Sequence, residues 1–251
     1  MTTRYPLDTF AGIFQMQANG VVTTPAESPN GIPGRLEIVG DPLGQRGNVL
    51  RATVFDTDPE TSLGQRAEIR LENMNNGEYW WQWNMMLDIV PATGQPMICN
   101  QVHKADLPAF DATEPWLMDL TRRHLQVKTP ATAMLESYAV RLGPSMPAEL
   151  NRWYQMTLHM ILEDSGPTGM REFFLDGVLV QRETGVITEY LNNQGYLKLG
   201  FYDYAGTGDF GQMRGYFSDL VLYTGPMSPN SIMDVRPPKS LTIRPSPGMP
   251  V

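Results

Sequence analysis

The stretch ICNQVHK, residues 98–104, sets Gln101 and His103 two apart, and GQRAEIRLE, residues 64–72, spaces Arg66, Glu68 and Arg70 in the same way. Two residues is the repeat of a β-strand, so each set projects from one strand face. Histidine titrates near neutrality and can take or give a proton, an arginine fork matches a carboxylate, and a glutamine amide adds a donor. A third stretch, GYLKLGFYDY at residues 195–204, presents Tyr196, Lys198, Tyr202 and Tyr204 opposite Leu197, Leu199 and Phe201. A lysine near Tyr202 favours its phenolate and suits that hydroxyl to proton transfer. Each set also has a plainer reading. Arg66 and Glu68 can be a surface ion pair, His103 a hydrogen-bonded strand histidine, and Gln-x-His a polar strand edge with no chemistry.

The elements that must position these residues are strands. In GQRAEIRLE the apolar partners Ala67, Ile69 and Leu71 fall on the opposite face, and in ICNQVHK the alternation assigns Ile98 and Val102 to the core. Two further segments carry large residues on both faces. GEYWWQWNMMLD alternates Trp80, Gln82 and Asn84 with Tyr79, Trp81, Trp83 and Met85. RWYQMTLHMILED alternates Trp153, Gln155, Thr157 and His159 with Tyr154, Met156, Leu158 and Met160. Trp81 and Trp83 are expected in the core, while Trp80 is either a sugar-stacking ring or core. EDSGPTGMREFFLDGVLV reads as strand, turn, strand, a tight Asp176-Gly177 turn, and strand. EPWLMDLTRRHLQVKTP reads as a hairpin turning near Thr121 to Arg123, with His124 solvated at its tip. Residues 131–150 fit either a strand with a loop or one short helix. Helical signals are scarce, and many short strands at this spacing predict an all-β fold, a sandwich or jelly roll.

Composition narrows the class of partner. Nineteen basic against 27 acidic side chains, a net charge of −8, argue against binding a phosphate backbone, so no nucleic-acid partner is expected. An anionic ligand would have to be met by a local basic cleft. One cysteine excludes an internal disulfide framework, and the 16 methionines are expected mostly as pliable core filling. No stretch is long and apolar enough to insert in a bilayer. The two aspartates of FDTDPE, residues 55–60, fall short of a calcium signature, so neither metal nor cofactor is expected. The N-terminus lacks the basic start and apolar run of a signal peptide, which predicts synthesis in the cytoplasm and, for a protein acting outside a cell, release by another route such as lysis. From Pro226 the texture changes: seven of the last 26 residues are proline, and periodicity disappears. The expected organisation is one sandwich domain over residues 1–225 and an extended proline-rich tail over 226–251 that docks on a partner or a second copy.

With the motifs in this order, residues 8–225 resemble polysaccharide lyases of the heparin lyase I and glucuronan lyase type, and more distantly the jelly-roll alginate lyases. Those families place an Arg-x-Glu strand, a Gln-x-His strand and a Lys-x-Gly-x-Tyr strand on the concave face of a concanavalin A-like sandwich. Here these are Arg66-Ala67-Glu68, Gln101-Val102-His103 and Lys198-Leu199-Gly200-Phe201-Tyr202. The resemblance implies a two-sheet antiparallel jelly roll that acts on an acidic, uronate-containing polysaccharide by β-elimination. It implies Arg66, Gln101, His103 and Tyr202 as catalytic residues. Lys198, Glu68, Arg70, Trp80, Gln82, His159 and Tyr204 are expected to contact substrate, with a supporting hydrogen bond as the alternative role for His159.

Elimination removes the C5 proton of a uronate, which is acidic only once the neighbouring carboxylate is neutralised. Arg66 and Gln101 suit that task. Two schemes stay open for the proton transfers: His103 as base with Tyr202 as acid, or Tyr202 as both with His103 helping to neutralise charge. The same sandwich also hosts carbohydrate-binding and purely structural proteins. The expected lack of a signal peptide and the proline-rich tail leave two settings open, a bacteriophage virion component and a free enzyme, with other virion proteins or a homo-oligomer as the tail's partners.

Overall fold

The computed structural model describes residues 1–5, 7–61, 64–91, 96–104, 116–121, 123–130, 140–163, 168–186, 188, 194–204 and 209–227. They form two antiparallel sheets. Numbered along the chain, the first runs β14 (Val178–Val186), β13 (Gly169–Leu175), β12 (Trp153–Leu162), β7 (Gly77–Ile89), β16 (Gln212–Thr224), β5 (Asn48–Phe55) and β4 (Leu36–Gly40), with β1 (Thr2–Tyr5) also paired to β16. The second runs β11 (Val140–Pro147), β10 (His124–Pro130), β9 (Trp116–Thr121), β8 (Met97–Lys104), β15 (Gly195–Asp203), β6 (Gln65–Arg70), β2 (Gln15–Ala18) and β3 (Val21–Thr23). This is the expected all-β jelly-roll sandwich.

Alternation decides what lies between the sheets. Trp81, Trp83, Met85 and Leu87 of β7 and Met156, Leu158 and Met160 of β12 meet Ala67, Ile69, Met97, Val102, Leu197, Leu199 and Phe201 of the second sheet in one core. Trp116 of β9 wedges across the gap, edge-on to Trp83 at 6.5 Å and tilted against Phe173 at 5.4 Å, while Phe201 packs on Phe217 at 5.6 Å. Such aromatic contacts add to the burial of the rings themselves. Among the described residues ten methionines are buried, nine of them in this core, where they fill the gaps the rigid rings leave.

The turns follow their sequences. Asp176 and Gly177 take φ of 51° and 78°, both left-handed as a two-residue hairpin requires, and Arg123 (φ 61°) turns the hairpin between β9 and β10. His124 opens β10 and is half-buried. Of the two readings for residues 131–150, residues 140–147 are the strand β11, and 131–139 lie outside the described residues. The expected proline-rich tail lies outside them from residue 228 onward. The FDTDPE aspartates are committed elsewhere: Asp58 holds Arg35 through two hydrogen bonds of 2.6 and 2.7 Å, and Asp56 accepts the Gly211 N–H.

One expectation about facing is corrected. Ile98 lies outside the inter-sheet core and pairs with Tyr202, whereas Met97 and Cys99 belong to the core. The register of β8 slips between Ile98 and Asn100, so Asn100 and Val102 resume the inward face after Cys99. A bulge of this kind inserts one residue and reverses the alternation beyond it. Asn100 consequently points inward, its amide on the Met85 sulfur at 3.5 Å.

Candidate active site

The outward face of the second sheet gathers the chemistry-bearing residues. On β6 the inward Ala67 and Ile69 force Arg66, Glu68 and Arg70 outward. The neighbouring strand β15 sets Tyr202 opposite Arg66, Gly200 opposite Glu68 and Lys198 opposite Arg70. On its other side, β15 sets Lys198 against Gln101 and Tyr196 against His103 of β8. Arg66, Gln101, His103, Lys198 and Tyr202, expected on one face from alternation, are therefore on one face, across three adjacent strands.

Glu68 is the hub of this face. Its Oε2 accepts from Arg66 Nη1 at 3.3 Å and Lys198 Nζ at 3.2 Å, and its Oε1 from Gln101 Nε2 at 2.8 Å. All four side chains are nearly inaccessible: Glu68 and Gln101 are 1% exposed, Lys198 2% and Arg66 4%. Burial pushes the Glu68 carboxyl up, but the charges of Lys198 and Arg66 and the Gln101 amide outweigh it and hold the group below the usual carboxylate range. With both oxygens engaged, Glu68 orients donors; this differs from the substrate contact expected of it.

The structure adds residues that motif spacing missed. Gln17 of β2 accepts at its Oε1 from both Arg66 Nη1 and Lys198 Nζ, each at 3.2 Å, and donates from Nε2 to Gln15 at 2.8 Å. Its signal was present as the alternation QMQA, with Met16 and Ala18 inward and an Asn19-Gly20 turn following. The Tyr196 hydroxyl meets His103 Nδ1 at 2.9 Å with the rings stacked at 5.1 Å. That contact sets which ring nitrogen carries the neutral imidazole's proton. The Arg70 guanidinium lies 3.8 Å over the Tyr196 ring and 4.9 Å from the Phe14 ring, and donates to Asn73 at 2.6 Å. Arg66 lies 3.8 Å over the ring of Tyr202, which is edge-on to Tyr204 at 6.3 Å.

Gly200 makes this packing feasible. Its φ is 138°, and a Cβ there would stand 2.1 Å from the Ala67 carbonyl oxygen, a backbone atom that cannot step aside. Gly200→Ala is expected to cost ~2–5 kcal/mol from overpacking and backbone strain together, seen as a lowered melting temperature of the whole chain.

Three expected substrate contacts are elsewhere. Trp80, Gln82 and His159 occupy the outward face of the first sheet, because the other face of β7 and β12 fills the inter-sheet core. No single ligand on the second sheet's outward face can touch them. His159 is 4% exposed and lies between Glu172 (2.7 Å from Nδ1) and Glu78 (3.0 Å from Nε2), stacked on Trp80 at 3.5 Å, so both of its ring nitrogens are engaged within the first sheet. Gln82 donates to Thr157 at 3.4 Å, and Trp80 packs with Phe174, Tyr223 and Met227. Among the described residues no group of three or more His, Cys, Asp or Glu side chains is arranged to hold a metal ion.

Residues 9–220 match the polysaccharide lyase family. No curated protein matches the chain. The fold is similar to that of the endo-β-1,4-glucuronan lyase of the fungus Trichoderma reesei, with a TM-score of 0.64, 13% identity, and coverage of 89% of this chain and 94% of that one. It is similar to the family-7 alginate lyase A1-II′ with a TM-score of 0.67 at 15% identity, covering 90% and 100% of the two chains. It is likewise similar to an alginate lyase of Pseudomonas aeruginosa, with a TM-score of 0.64 at 14% identity over 88% and 100%. At such identities the solved structures speak for the sandwich alone, while the match over residues 9–220 spans most of the sequence. The chain belongs to the polysaccharide lyase family.

Proposed function

We propose that the chain cleaves a uronate-containing polysaccharide by β-elimination on the outward face of the second sheet. The observation that carries this reading is the convergence of Arg66, Gln101 and Lys198 on Glu68, with His103 and Tyr202 on the flanking positions of the same face. A uronate carboxylate meeting the Arg66 fork and the Gln101 amide loses the charge that makes its C5 proton hard to remove. Glu68 and Gln17 keep those donors and Lys198 in place before substrate arrives, so little reorganisation is needed as the enolate forms.

The proton is then taken by His103 or by Tyr202, and the departing O4 is protonated by Tyr202. The Tyr196 contact distinguishes the two schemes. When Tyr196 donates to Nδ1, the Nε2 of neutral His103 is a donor, which suits neutralising the carboxylate and leaves both proton transfers to Tyr202. When Nδ1–H donates to Tyr196, Nε2 is a base. His103→Ala is expected to lower turnover at least ~100-fold in either scheme. The test is a panel of polyglucuronate, alginate, heparin and bacterial capsular polysaccharide, followed by the ultraviolet absorbance of the unsaturated uronate product. Rising absorbance with any of them supports the reading. A flat trace with all of them, alongside measurable sugar binding, would make this face a lectin site.

A further inference from the structure

On the same outward face, beyond the strands that carry the proposed catalytic residues, Lys128 of β10 stands beside Leu117 of β9, which stands beside Gln101 of β8. Its ammonium is ion-paired with Asp119 and lies beside Tyr204, whose ring abuts that of Tyr202. The run Arg66, Tyr202, Tyr204, Lys128 is thus continuous along one side of the face. Exposure is divided unequally within the pair: the Asp119 side chain is 0% exposed and that of Lys128 16%. What an approaching molecule meets is the cation, with its carboxylate partner fixed underneath. Burial pulls the ammonium down, but Asp119 and Tyr204 together outweigh it and keep the group above its ordinary value, so it stays charged throughout the neutral range.

We propose that Lys128, held by Asp119 and Tyr204, is a second anion subsite that takes an oxyanion on a sugar neighbouring the one whose carboxylate meets Arg66 and Gln101. The subsite rests on the reading of this face as a polysaccharide site. Lys128 and Gln101 rise from strands two spacings apart, ~10 Å at the backbone, and the Lys128 side chain leans toward Tyr204 at the end of β15, so it faces a sugar next to the one held by Arg66 and Gln101. Lys128 therefore acts on binding and register, and no proton of the reaction passes through it. A cross-strand ion pair that only steadies the β9–β10 hairpin is the plainer alternative.

The test is calorimetric binding of a size-defined polyuronate oligosaccharide to the full chain, in wild type and in Lys128→Met, which keeps the aliphatic stem. Because Lys128→Met leaves Asp119 buried without its cation, Lys128→Met/Asp119→Asn is measured beside it. Both are expected to weaken binding about tenfold at low salt, equivalent to ~1.4 kcal/mol, with the difference from wild type shrinking as salt rises. Where turnover is measurable, KM rises by the same factor and kcat stays within about twofold, as for lost uniform binding. A parallel titration with a sulfated glycosaminoglycan oligomer identifies the anion. Loss confined to the polyuronate assigns a carboxylate, and loss confined to the sulfated oligomer assigns a sulfate. Equal affinity in wild type and both variants overturns the subsite, as does a wild type that binds neither oligomer. If wild type yields no unsaturated product from any polymer but still loses affinity on Lys128→Met, β-elimination is refuted and the subsite stands.

Discussion

Replacing Tyr202 by phenylalanine is expected to lower turnover by up to ~10,000-fold, the upper end for a positioned acid–base group, while polysaccharide binding stays nearly intact. The ring is retained, and with it the packing of the Arg66 guanidinium 3.8 Å above it and the edge contact with Tyr204 at 6.3 Å. Only the hydroxyl is lost. Its absence is felt when the leaving oxygen must be protonated, and, if Tyr202 is also the base, when the C5 proton is removed. An interaction used only in the transition state lowers kcat without raising the dissociation constant of bound substrate. The measurement is product absorbance set against calorimetric binding of the same polymer. A variant with undiminished kcat would remove Tyr202 from the chemistry, and a tenfold loss of affinity with unchanged kcat would make it a binding residue.

Glu68→Gln is expected to destabilise the fold strongly. The variant keeps the shape but removes the carboxylate to which Arg66 and Lys198 both donate, at 3.3 and 3.2 Å, in a position 1% exposed. Breaking a buried ion pair by removing one partner costs ~3–5 kcal/mol, because the other charge keeps its desolvation penalty. In a chain of this size that lowers the melting temperature by roughly 10 °C. The pH dependence carries a second signature. The Glu68 carboxyl sits below its ordinary range in the folded state, so the stability it contributes is fully present above the unfolded carboxyl value of ~4.3 and is lost as pH falls through the lower folded value. Wild type should therefore lose stability more steeply than Glu68→Gln on the acid side, in thermal melts taken from neutrality down to pH ~3. Parallel acid limbs would mean that Glu68 is not the group holding the two cations.

Much of this face was legible from alternation. In β6 and β15 nearly every second residue is apolar, so one face had to turn to the core, and Arg66, Glu68, Arg70, Lys198 and Tyr202 had to turn away from it together. Gln101 and His103 followed by the same rule. The sandwich itself was legible in the short strands, the Asp176-Gly177 turn and the scarcity of helical periodicity.

Sequence periodicity alone could not decide where a strand's register slips, or which sheet a strand joins. Ile98 faces outward because the register slips after it in the pairing with both β9, the next strand, and β15, which lies far along the chain. Trp80, Gln82 and His159 share a period of two with the site residues, yet β7 and β12 belong to the first sheet, and their outward face carries its own packed cluster around His159 and Trp80. The contacts of Gln17 with Arg66 and Lys198, of Tyr196 with His103, and of Lys128 with Tyr204 join residues from 49 to 181 positions apart in the first two cases, and across three strands in the last. A period of two tells which residues share a face of one strand. Which faces are brought side by side is a property of long-range pairing, and the tertiary structure decided that.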